Sequence, residues 1–260
     1  MSDARLHPDP ALCLERRAAQ VTAALCDLCR GPGGKRDRQL LYGDLVTILS
    51  ERDGWSYLQA EKDGYCGHVR SAALGPVQKA THYVSAPASH AYAAADFKSP
   101  DLIGLSLNSR VAVTDHSGRF CETPVGFIPE MHLTPLSAPA TDPTEVAARL
   151  LGTPYLWGGN SRWGIDCSGL VQAALHACAL PCPGDSDLQE TQLGTLRASG
   201  GDFRRNDLLF WKGHVALVTD ARTLIHATAN VMAVTFEPIA EAIARIEAAG
   251  DGPVTAHRRL

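Results

Sequence analysis

The stretch TPYLWGGNSRWGIDCSGLVQAAL, residues 153–175, joins a loop rich in glycine and tryptophan to the start of a predicted helix. After Gly169, apolar residues recur with helical spacing, which predicts that one face of the helix enters a core. These residues are Leu170, Val171, Ala174, Leu175 and Cys178. Asp166 is a favourable N-cap residue, so Cys167 falls in the first turn, near unpaired N–H groups and the positive end of the helix dipole. We therefore expect a thiol that ionises more easily than a free cysteine, which is the property of a nucleophile.

Composition restricts the class of protein. The 260 residues fit one or two ordinary domains, or three if some are small. Apolar residues make up 45% of the chain and charged residues 20%, which is typical of globular proteins and argues against disorder. The net charge of −4 gives no reason to expect nucleic acid or an acidic membrane surface as a partner. No stretch approaches the 18 uninterrupted apolar residues typical of a membrane span, so we expect no membrane partner.

The N-terminal sequence MSDARLHPDPALCLERRAAQ lacks the basic region and apolar core of a signal peptide, and we expect a cytoplasmic protein. In such a chain the eight cysteines are expected to be reduced thiols. Cys26 and Cys29 form a C-x-x-C pair, but no second pair or histidine cluster accompanies it, so a zinc or redox site is poorly supported. We expect neither a metal nor a cofactor, and the oligomeric state stays open, with a monomer as one expectation.

Two β-rich segments precede the helical region. In residues 18–78, short apolar runs are separated by the turn sequences GPGGKRDR, ERDG and EKDG, and Asp-Gly dipeptides are hairpin signals. Residues 79–137 repeat this pattern more loosely, and the closing VGFIPEMHL resembles the earlier GYCGHVRSAAL. We predict two small barrels of one type, after a polar arm over residues 1–17 that contains a short helical piece.

Residues 138–260 have a different pattern. A helix should open at Asp142-Pro143, and the Cys167 helix should run to about Ala179. A polar helix or loop over residues 186–201 comes next. Four closely spaced strands follow at 207–211, 214–220, 223–229 and 231–238, and then a helix and a last strand. Helices followed by closely spaced strands predict an α+β domain with an antiparallel sheet.

A cysteine hydrolase needs a base near the thiol and a group that orients this base. His214 begins a predicted strand and His226 lies in the next one, so an antiparallel pairing would place them nearly opposite each other. One histidine would then contact the thiol while the other holds its free nitrogen. Because the chain has ten histidines, ordinary surface or core positions remain the alternative for both residues.

The motifs together resemble the NlpC/P60 family of papain-like cysteine peptidases, over residues 142–260. They are Gly-x-Pro-Tyr-x-Trp-Gly-Gly, Asp-Cys-Ser-Gly-Leu-Val, Asp-Leu-Leu-Phe-Trp, Gly-His-Val-Ala-Leu-Val and Ile-His-Ala, in that order. The preceding segments resemble bacterial SH3 domains. The whole layout is similar to the YkfC-type γ-D-glutamyl-L-diamino-acid endopeptidases, which cut murein stem peptides before meso-diaminopimelate or L-Lys and require a free N-terminal L-Ala.

This resemblance implies a role for named residues. Cys167 would be the nucleophile, His214 the base and acid, and His226 the orienting residue. Further residues would line the amino-terminal end of the substrate. In the catalytic domain these are Tyr155, Asp166 and Ser168, and from the first barrel Asp44 and Tyr65.

Several of these assignments keep alternatives. This chain has Asp44 where the family more often has Glu, so its reach toward the substrate is shorter, and an ordinary turn carboxylate is the other interpretation. Tyr65 is equally compatible with a position in the barrel core. Trp157 would form a wall of the substrate groove, with core packing as the alternative.

The function implied by the resemblance is peptide recycling in the cytoplasm by a cysteine endopeptidase. Two other functions compete with it. The chain would be a peptidoglycan-binding protein of the cell wall if the SH3 domains carried the main function. It would be an amidase or acyltransferase if the same fold acted on another acyl group.

Overall fold

The computed structural model describes residues 3–198 and 202–260 of the chain. These residues divide into two units, with the boundary between Pro139 and Ala140. Residues 1–2 of the predicted N-terminal arm lie outside the described residues, as do residues 199–201 at the end of the predicted polar segment. Within the described ranges, no helix combines the length and apolar character needed to cross a membrane.

The first part of the N-terminal unit is a seven-stranded antiparallel sheet. Its strands are β1 (Arg17–Val21), β2 (Leu25–Cys29), β3 (Arg36–Leu41), β4 (Leu45–Arg52), β5 (Trp55–Ala60), β6 (Cys66–Arg70) and β7 (Leu74–Gly75). They are ordered β3-β2-β6-β5-β4-β1-β7. Asp53 and Gly54 have φ angles of 51° and 75° and connect β4 to β5, as the Asp-Gly dipeptide predicted. Short 3-10 helices lie at Pro10–Leu12 and Ser71–Ala73.

The second part of this unit has eight strands in two sheets. They are β8 (His82–Val84), β9 (Ala88–Tyr92), β10 (Asp101–Ser106), β11 (Arg110–Val111), β12 (Asp115–Ser117), β13 (Phe120–Thr123), β14 (Gly126–Pro129) and β15 (Leu133–Pro135), with a 3-10 helix at Glu130–His132. The orders are β10-β9-β14-β13-β12 and β11-β8-β15. Their shared core surrounds Val84, Leu105 and Ile128, and Tyr42 from the first part packs into it. That the two parts are copies of one domain type stays a prediction.

Four α-helices lie in the described part of the C-terminal unit. They are α1 (Pro143–Ala148), α2 (Cys167–Ala177), α3 (Ser186–Gln192) and α4 (Ile239–Ala248). Asp142 caps α1 by accepting a hydrogen bond from the Thr144 N–H, and Pro143 occupies the first helical position, as predicted. Most residues of α2 are buried, because this helix packs against the sheet of the same unit.

The strands of the C-terminal unit form a small hairpin and a six-stranded sheet. They are β16 (Asn160–Ser161), β17 (Gly164–Ile165), β18 (Thr195–Leu196), β19 (Asp207–Trp211), β20 (His214–Val218), β21 (Thr223–Thr228), β22 (Ala233–Pro238) and β23 (Ala256–Arg259). The six-stranded order is β18-β23-β19-β20-β21-β22, and every pair in it is antiparallel. Apolar side chains of α4 cover one region of this sheet around Leu209, Ala216 and Leu224. The predicted α+β class is confirmed.

Candidate active site

The predicted nucleophile occupies the first position of α2. Cys167 follows the extended Asp166, whose carboxylate caps the helix by accepting a hydrogen bond of 2.6 Å from the Gly169 N–H. The Cys167 side chain is buried, with 6% of its surface exposed. Its Sγ lies 4.0 Å from the carbonyl oxygen of Gly213, the residue immediately before His214. The fold therefore brings the helix start and the beginning of β20 together, although they are 46 residues apart in sequence.

Asp166 does more than cap the helix. Its Oδ2 accepts a hydrogen bond of 2.9 Å from the Gly158 N–H, and its Oδ1 accepts one of 3.0 Å from the Ser168 hydroxyl. Together with the bond from Gly169, these contacts connect the glycine-rich loop to the first turn of α2. An ionised carboxylate can accept about four hydrogen bonds, so most of the acceptor positions of Asp166 are occupied by donors of the protein itself.

The two predicted histidines are in direct contact. Nε2 of His214 lies 3.0 Å from Nδ1 of His226, and the two rings are inclined by 65°, with their centroids 5.2 Å apart. The pairing of Leu217 with Ile225 on β20 and β21, continued along the strands, sets the two histidines diagonally rather than directly opposite. A diagonal pair lies on one face of the sheet, so its ring side chains still meet.

Two charged residues that the motif analysis did not identify continue this contact. Oε2 of Glu237 on β22 lies 3.0 Å from Nε2 of His226. Arg245 on α4 binds the same carboxylate through two hydrogen bonds, Nε to Oε1 at 2.9 Å and Nη2 to Oε2 at 2.7 Å. In the structure Thr235 pairs with His226, so Glu237, two residues further along β22, projects from the same face of the sheet. Strand alternation without this register does not identify Glu237.

Burial controls the charge of the histidine pair. For His214, burial and then the neighbouring His226 and Arg245 lower the pKa, and the Glu237 carboxylate opposes this only partly. For His226, which is completely buried, burial again lowers the pKa more than Glu237 raises it. Both rings are therefore neutral near pH 7, and a neutral imidazole is able to accept a proton from a thiol.

The backbone of Ser168, the residue after Cys167, is held by a buried side-chain amide. Nε2 of Gln189, on α3, donates hydrogen bonds of 2.9 Å to the Ser168 carbonyl and 3.0 Å to the Pro183 carbonyl. Gln189 is 0% exposed, which is unusual for this residue type. The sequence of α3 does not predict this contact of Gln189. Most residues of the helix are polar, and the pattern does not show which polar side chain points into the protein.

The other predicted substrate residues of the C-terminal unit lie near this centre. Tyr155 is half-buried, and its pKa is raised by burial and then by the adjacent Cys167 and Asp166. Ser168 is buried, whereas Trp157 is 70% exposed. The indole of Trp157 is thus on the surface rather than in the core, and a role as a substrate wall stays a prediction.

The predicted residues of the first barrel have partners inside that barrel. Oδ2 of Asp44 accepts a hydrogen bond of 2.9 Å from the Leu41 N–H and contacts Nζ of Lys62 at 2.7 Å. Tyr65 is 3% exposed and packs in the core beside Leu28 and Val69. These positions match the turn carboxylate and the core residue that the sequence offered as alternatives, and contact with substrate stays a prediction for both.

All eight cysteines are free thiols. Within residues 3–198 and 202–260, no group of three or more His, Cys, Asp or Glu side chains is placed to hold a metal ion.

Two family models match the chain. Residues 152–248 match the NlpC/P60 family, and residues 28–74 match the bacterial dipeptidyl-peptidase SH3 domain. Cys167, His214 and His226 all lie inside the first of these matches. The SH3 match is confined to the first barrel.

Curated relatives and a solved structure are consistent with these matches. The chain is 28% identical over 219 residues to the γ-D-glutamyl-L-lysine dipeptidyl-peptidase of Bacillus subtilis, covering 73% of this chain and 71% of the relative. It is 27% identical over 218 residues to dipeptidyl-peptidase 6 of Lysinibacillus sphaericus, covering 73% and 79%. An NlpC/P60 family protein from Bacillus cereus shares the fold, with a TM-score of 0.77 and 18% identity over 94% of this chain and 99% of that one. The chain thus contains a domain of the NlpC/P60 peptidase family, preceded by a bacterial SH3 domain.

Proposed function

We propose that the protein is a cysteine endopeptidase acting on murein peptides with a free N-terminal L-Ala. The bond it hydrolyses joins γ-D-glutamate to a diamino acid, meso-diaminopimelate or L-Lys. The observation that carries this proposal is the placement of Cys167 at the start of α2, beside the strand that begins with His214 and its partner His226. The substrate class is suggested by the name of the Bacillus subtilis relative, which is a γ-D-glutamyl-L-lysine dipeptidyl-peptidase.

The reaction begins with proton transfer from Cys167 to the neutral His214. The thiolate attacks the carbonyl carbon of the γ-D-glutamyl amide, and the carbonyl oxygen becomes an oxyanion. His214 then returns the proton to the leaving amine of the diamino acid, which departs and leaves an acyl-enzyme. A water molecule, deprotonated by His214, hydrolyses the thioester, releases L-Ala-γ-D-Glu and restores the thiol.

Backbone N–H groups at the beginning of α2 are suited to stabilise the oxyanion. The first turn of a helix presents N–H groups without intrahelical acceptors, and the N–H of Cys167 belongs to that turn. Asp166 and Gln189 fix this turn, so the donors are oriented before the substrate arrives. Preorganised donors of this kind contribute roughly 3–4 kcal/mol each to stabilisation of the transition state.

The requirement for a free amine is part of the proposal. A protonated α-amino group would be balanced by Asp166, with Ser168 and Tyr155 as hydrogen-bonding partners and Trp157 as a wall. Asp166 already accepts bonds from Gly158, Gly169 and Ser168, so the amine would share this carboxylate with those donors. For Asp44 and Tyr65 of the first barrel, contact with the substrate is only what the family resemblance implies.

A free L-Ala amine also indicates the source of the substrate. In the intact wall this nitrogen is held in an amide bond to the glycan, so the proposed enzyme acts after the stem peptide has been detached. We therefore place the reaction in the recycling of released murein peptides, in the cytoplasm.

The test is incubation of purified protein with L-Ala-γ-D-Glu-meso-diaminopimelate and with L-Ala-γ-D-Glu-L-Lys, followed by mass spectrometry of the products. We expect release of L-Ala-γ-D-Glu by the wild type and none by Cys167→Ala. Equal cleavage of the N-acetylated peptides would overturn the free-amine requirement. Sacculus binding that survives Cys167→Ala, with no hydrolysis by the wild type, would instead favour a wall-binding protein, and products of acyl transfer would favour an acyltransferase.

A further inference from the structure

Glu237 and Arg245 extend the histidine pair into a chain of four residues. The contacts run from His214 to His226 at 3.0 Å, from His226 to Glu237 at 3.0 Å, and from Glu237 to Arg245 at 2.7 and 2.9 Å. These four residues lie on β20, β21, β22 and α4, so their side chains connect four elements of the C-terminal unit. We infer that Glu237 and Arg245 are positioning residues that set which nitrogen of His214 is the base. The inference rests on the proposed function, in which His214 deprotonates Cys167.

The position of the protons follows from the contacts. Oε2 of Glu237 lies 3.0 Å from Nε2 of His226, and an ionised carboxylate favours a ring N–H over a lone pair at this distance, so we assign the proton of neutral His226 to Nε2. In neutral His226 the other nitrogen, Nδ1, is then an acceptor. Nε2 of His214 lies 3.0 Å from it and must be the donor. The remaining nitrogen of neutral His214, Nδ1, is thereby left with the lone pair and acts as the base.

Arg245 prevents the Glu237 carboxylate from stabilising the protonated, imidazolium form of His226. A single buried carboxylate beside His226 would favour the imidazolium form, in which both ring nitrogens donate. His214 would then have to accept at Nε2 and carry its proton on Nδ1, which removes the base. The paired hydrogen bonds from Arg245 lower the pKa of Glu237 and offset its charge, while burial keeps the pKa of His226 low.

The charged and titratable groups facing His226 are His214 on β20, Glu237 on β22 and Arg245 on α4. The Glu237 carboxylate thus selects the tautomer of His226, and the Arg245 guanidinium keeps the His226 ring neutral. Removing either group should therefore alter the protonation of the histidines without removing the Cys167 thiol.

Nitrogen NMR of the histidine side chains tests this directly. In full-length protein labelled with 15N-histidine at pH 7, we expect Nε2–H tautomers for both His214 and His226. Glu237→Gln offers an amide that also donates, so we expect the Nε2–H signal of His226 to be lost or to become mixed. Nδ1–H tautomers in the wild type would overturn the inference, even if the peptide is hydrolysed.

Activity gives a second, independent measurement. For Glu237→Gln we expect kcat to fall roughly 100-fold or more with little change in KM, as when a triad histidine is held in the wrong tautomer. For Arg245→Met, the acid limb of the kcat/KM profile should move to higher pH by about one unit, because Glu237 is no longer offset. Glu241→Gln, an exposed carboxylate at the start of α4, is the matched control and should change neither quantity.

The two proposals fail in different ways. An unchanged acid limb in Arg245→Met, with wild-type kcat in Glu237→Gln, would reduce these residues to structural roles and overturn the inference. Absence of hydrolysis by the wild type would refute the proposed function, while the NMR tautomers would still decide the proton arrangement. If Glu237→Gln does not fold, the wild-type spectra and Arg245→Met still decide it.

Discussion

Oδ2 of Asp166 accepts a hydrogen bond of 2.9 Å from the N–H of Gly158, so the residue that caps α2 also holds the loop eight residues before it. Gly158 has a φ of 70° in this loop, a conformation that side chains disfavour. One buried carboxylate thus determines both the start of the nucleophile helix and the path of the chain leading to it.

Asp166→Asn should separate these two roles. Asparagine caps helices well, so the bond from Gly169 is retained. The amide group that replaces Oδ2 donates, however, and leaves the Gly158 N–H without its acceptor. We expect a loss of about 1–3 kcal/mol in the free energy of unfolding, measured by urea denaturation, and a fall in peptide hydrolysis.

Asp9→Asn is the control for this change. Asp9 is an exposed cap that accepts one hydrogen bond from the Ala11 N–H. Its replacement should leave the free energy of unfolding within about 0.5 kcal/mol of the wild type. Equal stability of Asp166→Asn and the wild type would contradict the dual role of Asp166.

Cys167→Ala should abolish hydrolysis while preserving the fold. The thiol is the proposed nucleophile, and its loss should lower kcat by at least about 1,000-fold, as assayed by mass spectrometry of released dipeptide. Circular dichroism should be unchanged, because alanine is an excellent helix former. Cys178→Ala, at the other end of α2, serves as the control and should keep its activity. Residual turnover near the wild-type rate would exclude Cys167 as the nucleophile.

Gly169→Ala should displace the first turn of α2. A Cβ at this position would lie 2.3 Å from the Gly159 carbonyl oxygen and 3.0 Å from Oδ1 of Asp166, and the closer atom belongs to the backbone. The helix start must therefore shift, and a shift of about 1 Å at reacting groups costs on the order of 100-fold in rate. We expect a loss of this size in kcat.

Ala177→Gly makes the reverse exchange at the end of the same helix. It should lower the free energy of unfolding by about 0.5–1 kcal/mol and leave kcat unchanged. A fully active Gly169→Ala enzyme would show that the close approach to Gly159 does not control the site.

Stability should decrease as the pH falls from 7 to 5, partly because of the buried histidines. The pKa of His226 and of His214 is lowered in the folded protein, while unfolded histidine titrates near 6.5. Below pH 6.5 the unfolded chain binds protons that the folded chain does not, so the free energy of unfolding falls by up to about 1.4 kcal/mol per pH unit for each residue. The loss continues until the pH reaches the folded pKa.

Thermal unfolding of the wild type and of His226→Gln at several pH values measures this contribution. The decrease in Tm between pH 7 and 5 should be smaller for the variant. The pKa of Glu237 and that of Asp207 are lowered, so these carboxylates affect stability only at more acidic pH. Identical pH dependence in the two proteins would contradict the neutral state of His226.

Asp207→Asn should weaken the sheet without acting on the chemistry. Its carboxylate is buried at the start of β19 and binds two side chains of β23, with contacts of 2.8 Å to Nε of Arg259 and 2.7 Å to Nε2 of His257. Burial alone would raise the pKa of Asp207, but the donors of Arg259 and His257 lower it to about 2. We expect a fall in Tm of at least about 5 °C.

The kcat of the folded Asp207→Asn protein should match the wild type when it is measured well below Tm. Asp251→Asn, at an exposed position after α4, should leave Tm unchanged. An unaltered Tm for Asp207→Asn would show that this carboxylate does not hold β19 and β23 together.

The accurate sequence predictions concern features that neighbouring residues decide. Asp53-Gly54 predicted a hairpin because glycine, and to a lesser extent aspartate, tolerates a positive φ. Asp142-Pro143 predicted the start of α1, since a cap and a fixed φ act within one turn. The strand predicted at 207–211 coincides with β19. Each of these signals is contained in a few consecutive residues.

The succession of two antiparallel strands predicts that His214 and His226 are neighbours, but it does not predict the geometry of their contact. His214 and His226 lie diagonally, and the continuation to Glu237 and Arg245 depends on the register of β22 and on where α4 packs. The role of Gln189 cannot be predicted for the same reason, because only the packing of α3 turns its amide toward Ser168. Contacts between distant segments are set by the packing of whole elements.

The sequence by itself determined the capped helix with Cys167 at its start, the antiparallel strands that carry both histidines, and the α+β class. Propensity, capping and alternation act over one or two turns, so they can be recognised without coordinates. Only the tertiary structure decided which nitrogen of His226 contacts Glu237. It also decided that most hydrogen bonds to the Asp166 carboxylate come from the glycine-rich loop and the first turn of α2. Those choices depend on distances of a few ångströms between side chains from separate elements, which no local pattern specifies.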